Sequence, residues 1–214
     1  MSQSGQEIEA KFYVLHLDRM IAHLQDMQAR LIQPRVRETN LRFDLPDGSL
    51  RSEGRVLRLR RDTKSRLTYK GAGQGNNGVL AREEIEFVVE DFETAKQFLE
   101  ALGYKQTISY EKYRTTYDLD HTLIMLDELP YGNFVEIEGE TVEQIRSAAA
   151  KLKLDWNAAI NKSYTALFEV AVRALSLSFQ DLSFKNFEGV TVTVKDLSVR
   201  AADATSSENG EALL

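Results

Sequence analysis

The segment Glu7-Ile8-Glu9-Ala10-Lys11-Phe12 alternates strictly between charged and apolar side chains. A period of two is typical of a β-strand, in which successive side chains point to opposite faces. The predicted strand carries Glu7, Glu9 and Lys11 on one face and only apolar side chains on the other. One face of this strand is therefore suited to charged partners, and the other to a hydrophobic core.

The same alternation recurs along the chain and predicts about eight strands in total. The further alternating runs cover residues 35–45, 55–61, 65–70, 82–90, 110–118, 122–128 and 133–139. Pro46-Asp47-Gly48 has the composition of a tight turn, so the second and third strands are expected to form a hairpin. The glycine-rich run at residues 71–75 lacks the Gly-Lys-Ser/Thr ending of a phosphate-binding loop, and we interpret it as a flexible hairpin connection.

Four helices are predicted between and after the strands. The first is indicated by apolar residues at helical spacing between Val14 and Leu31, and the second by an N-terminal cap at Asp91 and a stop at Gly103. A capping box of Thr141 with Gln144 opens the third, which runs to about Leu154. An apolar stripe from Tyr164 to Ala171 indicates the fourth. The chain is thus expected to mix antiparallel strands with a few amphipathic helices.

Composition restricts the class of protein. The 214 residues carry a net charge of −6 and no cysteine, which excludes disulfides and thiolate metal sites. No stretch approaches the roughly 18 apolar residues of a membrane span, and the first residues lack a secretory pattern. The acidic balance argues against nucleic-acid binding. We expect a cytoplasmic protein without nucleic-acid or membrane partners, and a homodimer stays open.

Like charges are concentrated on single strand faces, as in Arg58 with Arg60 and Glu136 with Glu138. Such neighbours lie roughly 7 Å apart, and each pair costs about 2 kcal/mol at an effective dielectric constant near 20. Two explanations stay open. Solvent and cross-strand pairing reduce the repulsion if the faces are exposed. Alternatively, the sheet closes into a barrel whose lumen binds phosphate oxygens through its basic residues and divalent cations through its carboxylates.

An ordered set of motifs resembles the CYTH proteins, also called triphosphate tunnel metalloenzymes. Glu7-x-Glu9-x-Lys11 is similar to their ExExK signature. The other motifs follow in the expected order: Leu57-Arg58-Leu59-Arg60, Leu67-Thr68-Tyr69-Lys70-Gly71, Arg82-x-Glu84-x-Glu86, Lys112-Tyr113-Arg114, Leu126-Asp127-Glu128, residues 132–138 and Lys162-Ser163-Tyr164. The resemblance covers residues 5–170 or so.

The resemblance implies an α+β fold, a closed eight-stranded antiparallel β-barrel (the triphosphate tunnel) flanked by helices. It implies that Mg²⁺ or Mn²⁺ is held by Glu7, Glu9, Glu136 and Glu138, helped by Glu84, Glu86 and Asp127. It also implies that a triphosphate is bound by Lys11, Arg58, Arg60, Lys70, Arg82, Lys112, Arg114 and Lys162. Lys11, Arg58 and Arg60 are the catalytic candidates. Glu38, Asn40 and Arg42 share a face of the second strand and are further candidates.

The expected function is metal-dependent hydrolysis of an inorganic, nucleoside or thiamine triphosphate to diphosphate and phosphate. The alternative is a class IV adenylyl cyclase, which converts ATP to cyclic AMP and pyrophosphate; the chain lacks the His-Phe-Asp segment of some cyclase-type members. A second alternative is a non-catalytic module that binds triphosphate or polyphosphate, which would not need the full acidic set.

The chain is expected to divide into three parts. Residues 1–177 are predicted to form the tunnel domain. Residues 178–200 are predicted to be a C-terminal extension whose weak alternation could add an edge hairpin, and residues 201–214 a disordered acidic tail.

Overall fold

The computed structural model describes residues 3–76 and 78–204. One sheet contains the strands β1 (Gln3–Val14), β2 (Arg30–Asp44), β3 (Val56–Arg61), β4 (Ser65–Lys70), β5 (Gln74–Asn76), β6 (Val79–Val89), β7 (Lys105–Leu119), β8 (Thr122–Leu129) and β9 (Gly132–Glu138). Their order is β1-β9-β8-β7-β2-β3-β4-β6-β5, and β1 also pairs with β6. That pairing closes eight antiparallel strands into a barrel, as predicted, while the short β5 pairs with the start of β6.

The helices cover the outside of the barrel. They are α1 (Leu17–Asp26), α2 (Ser49–Ser52), α3 (Phe92–Ala101), α4 (Val142–Lys151), α5 (Tyr164–Leu175) and α6 (Val194–Leu197), with a 3₁₀ turn at Trp156–Ala158. Asp91 caps α3 by accepting from the Thr94 N–H, and Thr141 with Gln144 forms the predicted capping box of α4. No helix in the described part of the chain has both the length and the hydrophobicity needed to cross a bilayer.

Strand β1 illustrates how the alternating pattern sorts side chains. Phe12 and Val14 are buried outside the barrel, in a core that α1 and α4 share with β8 and β9. The other face carries Glu7, Glu9 and Lys11 into the lumen. Two further cores place α3 against β2 and β3, and α5 against the other end of the barrel wall. The charged strand faces are therefore internal, and the explanation by solvated outer faces is wrong.

The boundaries of two predicted elements were wrong. The first helix ends at Asp26 instead of continuing to Leu31, because Gln28 adopts a left-handed backbone conformation (φ 55°) that reverses the chain into β2. Strands β2 and β3 do form a hairpin, but the connection contains α2 instead of a tight turn alone. The carboxylate of Asp44 accepts the N–H groups of Leu50 and Arg51 at 2.9 and 3.0 Å, which stabilises the start of α2.

The edge hairpin predicted for residues 178–200 is also wrong: this segment contains α6 and one isolated bridge, Leu182 to Tyr110. Its alternating valines lie near the capping box of Thr193 with Asp196, which begins α6. Leu182 and Leu197 are fully buried in the core that contains α5. The extension therefore packs as part of the barrel's helical cover.

The disordered tail was predicted to begin at residue 201, which is too early. Asp203 accepts hydrogen bonds from the N–H groups of Leu15 and His16, both at 2.8 Å, and the Ala202 N–H donates to the Tyr13 carbonyl. These contacts fix residues 201–204 against the end of β1. The remainder of the predicted tail, residues 205–214, lies outside the described residues.

Candidate active site

The lumen of the barrel is a cavity of about 270 Å³. All eight barrel strands contribute side chains to its wall, and residues 160–165, at the start of α5, complete the lining. Pockets for small ligands typically measure about 300–1,000 Å³. The cavity therefore lies just below this range and suits a compact molecule.

The predicted site residues converge on this cavity with one exception. Its wall contains Glu7, Glu9, Lys11, Arg58, Arg60, Lys70, Arg82, Glu84, Glu86, Lys112, Arg114, Glu136, Glu138 and Lys162. Asp127 is fully buried and lies behind the wall. Strand parity thus placed these side chains correctly, whereas their roles stay predictions.

Glu7 is held by two basic residues from other strands. Its carboxylate accepts from the Lys70 ammonium at 2.6 and 2.7 Å and from the Arg82 Nε at 3.1 Å. Burial alone would raise the pKa of Glu7, but Lys70 and Arg82 outweigh burial and lower that pKa to about 2. Glu7 is therefore an anion at neutral pH.

Lys11 and Arg114 both pair with Glu136. The Lys11 Nζ lies 3.1 Å from the Glu136 carboxylate, and the Arg114 guanidinium makes a very short contact with the same carboxylate. Burial opposes ionisation, yet Lys11 and Arg114 hold the pKa of Glu136 well below its ordinary value. The negative charge of Glu136 is therefore balanced by Lys11 and Arg114 without any bound ligand.

Asp127 is the hub of a buried network behind the wall. It accepts from Arg114 Nε and Nη2 at 2.6 and 2.5 Å, from Lys112 Nζ at 2.9 Å and from the Tyr164 hydroxyl at 2.7 Å. Four donors occupy its two oxygens. In this arrangement Asp127 orients basic residues of the cavity and presents no free oxygen to it.

The negative charge of Glu86 is also balanced by neighbouring donors. It accepts from Thr68 at 2.8 Å and from Arg60 at 3.2 and 3.3 Å, and Arg66 lies 3.5 Å away. The carboxylate thus ties β6 to its neighbour β4 and to β3, the next strand along the wall.

Glu138 and Glu84 carry the least compensated negative charge. Burial, together with the neighbouring Glu7, raises the pKa of Glu138 to about 7. Burial and Glu7 also raise the pKa of Glu84, although Lys70 opposes them. Crowded carboxylates of this kind favour either protonation or a bound cation.

This acidic group fits a divalent metal ion in its chemistry. Mg²⁺ and similar hard cations prefer carboxylate oxygens, which are the donors here. Within residues 3–76 and 78–204, however, no three acidic or histidine side chains are arranged as a ready metal shell. The reason is that Glu7, Glu86, Glu136 and Asp127 are bonded to basic residues instead.

The opposite part of the wall carries excess positive charge. Burial and the neighbouring Arg58 lower the pKa of Arg60. Among the described residues, the buried Nε atoms of Arg58 and Arg60 have no hydrogen-bond partner. Unused guanidinium donors in a closed cavity are suited to an anion with several oxygens, such as a phosphate chain.

Strand β2 carries three polar residues, Glu38, Asn40 and Arg42, for which the sequence predicted a shared strand face but no partners. Glu38 is almost fully buried, and its carboxylate lies 3.5 Å from the Lys112 Nζ and 3.7 Å from Arg60. Burial opposes ionisation, but Lys112, Arg114 and Arg60 lower the pKa of Glu38 to about 2. Arg42 also lines the cavity, whereas Asn40 is fully buried without a hydrogen-bond partner in the described structure.

Two tyrosines in the lining were missed as functional candidates. Tyr110 lies beside Arg58, and Arg58 and Lys112 lower its pKa although burial opposes this. Tyr164 begins α5 and reaches Asp127. The inward parity of β7 pointed to Tyr110, but its buried aromatic ring is equally typical of a core residue.

Comparisons with known proteins agree with this geometry. The CYTH domain model matches residues 5–164. A protein of Methanocaldococcus jannaschii named "putative adenylate cyclase" is 26% identical over 172 residues, which cover 75% of this chain and 97% of the relative. A solved structure from Pyrococcus horikoshii is 26% identical, with a TM-score of 0.63, and covers 74% of this chain and 96% of its own.

Another solved structure, of a Hippeastrum protein named for adenylyl cyclase and reported to have a dominant triphosphatase activity, has a TM-score of 0.60 at 18% identity. The match covers 76% of this chain and 95% of the Hippeastrum chain, and at this identity it shows only that the two folds are similar. The family match includes every barrel strand and most of the cavity wall. The chain therefore belongs to the CYTH domain family.

Proposed function

We propose that this protein is a divalent-metal-dependent triphosphatase, which hydrolyses a small triphosphate to diphosphate and phosphate inside the barrel. The observation that carries the proposal is the division of one closed cavity into an acidic part around Glu138 and Glu84 and a basic part around Arg58 and Arg60. A metal complex of a triphosphate carries positive charge on the metal ion, which complements the acidic part, and negative charge on the phosphates, which complements the basic part.

The basic residues would bind the phosphate chain. Arg58 and Arg60 offer unused Nε donors, and the ammonium groups of Lys70 and Lys11 would exchange Glu7 and Glu136 for phosphate oxygens. Fixed donors of this kind stabilise the charge that spreads over the transferred phosphoryl group. Lys112 and Arg114 are already oriented by Asp127 and need little reorganisation.

Glu7, Glu9, Glu84 and Glu138 are the carboxylates that would hold the metal. A bound divalent ion would neutralise developing negative charge and lower the pKa of water. In the reaction, a water oxygen would bond to the terminal phosphorus while the bridging P–O bond breaks. Diphosphate would leave with the electron pair, and the proton lost by the water would pass to the product oxygens or to solvent.

Adenylyl cyclase activity is the second candidate, since the M. jannaschii relative is named for it. The same residues would bind the triphosphate of ATP, and its ribose 3′-hydroxyl would attack the α-phosphorus. Hydrolysis is supported by the Hippeastrum protein, in which this fold carries a dominant triphosphatase activity. A non-catalytic binding module would not need the crowded carboxylates.

A single product assay separates the three candidates. Purified protein is incubated with Mg²⁺ or Mn²⁺ and with tripolyphosphate, thiamine triphosphate or ATP. Phosphate, the diphosphate product (pyrophosphate, thiamine diphosphate or ADP), free pyrophosphate and cyclic AMP are all quantified. The proposal expects phosphate and diphosphate in equal amounts from at least one substrate. Cyclic AMP with pyrophosphate would identify a cyclase, and binding without any product would identify a binding module.

A further inference from the structure

Tyr164 occupies an unusual position between the basic residues of opposite barrel strands. The Lys11 Nζ lies 4.2 Å from the centre of its ring and the Lys112 Nζ lies 5.2 Å from it. Lys11 belongs to β1 and Lys112 to β7, which are separated in the barrel by β9 and β8. One aromatic ring therefore contacts two ammonium groups from distant parts of the wall.

The hydroxyl of Tyr164 adds a third connection. It donates to Asp127 Oδ2 at 2.7 Å, the same oxygen that accepts from Lys112 at 2.9 Å. The ring and the hydroxyl together thus fix Lys112 from two sides. Lys11 is fixed in turn by the Tyr164 ring and by the carbonyl of Lys162, 3.3 Å from its Nζ.

The position of Tyr164 is set from outside the cavity. Its carbonyl accepts from the Tyr131 hydroxyl at 2.8 Å, and its ring packs edge-on against Phe134. Behind it, α5 packs against Leu182 and Leu197 of the C-terminal extension. The packing on Phe134 and within the core around α5 holds the ring, whereas the Tyr131 hydroxyl reaches only the backbone of Tyr164.

We propose that Tyr164 is a positioning residue that sets the placement of Lys11 and Lys112 for the bound triphosphate, through its ring, and that of Asp127, through its hydroxyl. This inference rests on the proposed function. Cation–π contacts are strongest in desolvated sites, and both ammonium groups here are almost fully buried. A plain core role would need the bulk of the side chain but neither of these contacts.

The test compares three variants by calorimetric titration with tripolyphosphate in the absence of metal. Tyr164→Leu removes the ring, Tyr164→Phe keeps the ring and removes the hydroxyl, and Tyr131→Phe is the matched control. The control also removes a buried hydroxyl, one that bonds to the backbone of Tyr164 and touches neither lysine nor Asp127. Thermal unfolding of each variant reports the loss of stability separately.

We expect at least a tenfold loss of affinity in Tyr164→Leu, a three- to fivefold loss in Tyr164→Phe, and less than a twofold change in Tyr131→Phe. The loss of affinity in Tyr164→Phe, which keeps the bulk of the ring, is the readout that a bulk-filling role would not produce. Equal affinity of Tyr164→Leu and the wild type would overturn the inference, as would an equal loss in Tyr164→Phe and the control. If Tyr164→Leu does not fold, the comparison of the two phenylalanine variants decides. A wild type that binds no tripolyphosphate would overturn the proposed function as well.

Discussion

Lys70 donates to both carboxylate oxygens of Glu7 although their strands, β4 and β1, are not neighbours in the barrel. The ion pair passes over the lumen-facing side of β6, which lies between the two strands. In the proposed function Lys70 binds phosphate and Glu7 binds metal, so each ligand must break the same ion pair. Either ligand thereby prepares the site for the other.

Metal and triphosphate should therefore bind with positive cooperativity. We expect the affinity for Mn²⁺ to rise at least about tenfold, or about 1.4 kcal/mol, when tripolyphosphate is bound. Calorimetric titration of Mn²⁺ into protein with and without tripolyphosphate measures this, after subtraction of the direct Mn²⁺–tripolyphosphate interaction. Lys70→Ala should reduce the cooperativity because this ion pair is then absent and Glu7 keeps, among the described residues, only Arg82 as a basic partner. Equal coupling in Lys70→Ala and the wild type would contradict the account.

A triphosphate should stabilise the fold more than a single phosphate does. A ligand that binds only the folded state contributes RT ln(1 + [L]/Kd), about 2.7 kcal/mol at a hundredfold excess over Kd. Thermal unfolding is compared with tripolyphosphate, monophosphate and sulfate at matched ionic strength. Similar shifts with all three anions would indicate general screening of the basic wall in place of a triphosphate site.

The stability of the metal-free protein should fall with pH because of Glu138. Its pKa is raised from 4.5 to about 7 in the folded state. Its favourable contribution is therefore complete below about pH 4.5 and is lost as pH rises through 7, on the order of 2–3 kcal/mol. Glu138→Gln removes this dependence.

The measurement is denaturant unfolding of the wild type and Glu138→Gln in EDTA at pH 5 and pH 8. We expect the glutamine variant to gain stability relative to the wild type between the two pH values. Titrating groups that do not interact with Glu138 cancel in this double difference. A constant difference would show that the carboxylate crowding around Glu7 and Glu84 does not affect Glu138.

The C-terminal extension should be required for stability. Leu182 is fully buried in the core beneath α5, so Leu182→Ala should cost about 2–4 kcal/mol of unfolding free energy. Val190→Ala, at a partly buried position of the same extension, is the control and should cost less. If neither change altered denaturant unfolding, residues 178–200 would form a separate unit from the barrel.

The strands and their charged faces were predictable because strand parity is local information, whereas closure into a barrel was implied by the resemblance to the CYTH proteins. The alternation in residues 7–12 assigns Glu7, Glu9 and Lys11 to one face without knowledge of any partner strand. The connection after Asp44 and the end of α1 were not predictable in this way. They depend on left-handed residues at Gly48 and Gln28 and on a carboxylate that caps a distant N–H group.

The hydrogen-bond and ion-pair partners within the site could not be predicted from the sequence either. Asp127 has the inward spacing of a metal ligand, but its contacts with Lys112, Arg114 and Tyr164 depend on three-dimensional placement. Tyr164 reads from sequence as one apolar position of a helix. Only the folded chain places its ring between ammonium groups from β1 and β7.

Two single substitutions on β1 test most directly whether the acidic and basic residues have separate roles. Glu9 lies 3.3 Å from Arg82 and lines the acidic part of the cavity, whereas Lys11 pairs with Glu136. Glu9→Gln should abolish most Mn²⁺-dependent turnover of tripolyphosphate while metal-free tripolyphosphate binding is kept or tightened. Lys11→Ala should weaken metal-free binding by about 1.5–3 kcal/mol, the value of a charge-assisted hydrogen bond.

Metal-free calorimetry of the two variants, alongside their turnover with Mn²⁺, is the decisive measurement. The account predicts that metal-free affinity falls in Lys11→Ala and is kept or rises in Glu9→Gln, because Lys11 attracts the anion and Glu9 repels it. Near-normal turnover in Glu9→Gln, or a loss of metal-free affinity as large as that of Lys11→Ala, would contradict the assignment of the carboxylates to the metal and of the lysines and arginines to the triphosphate.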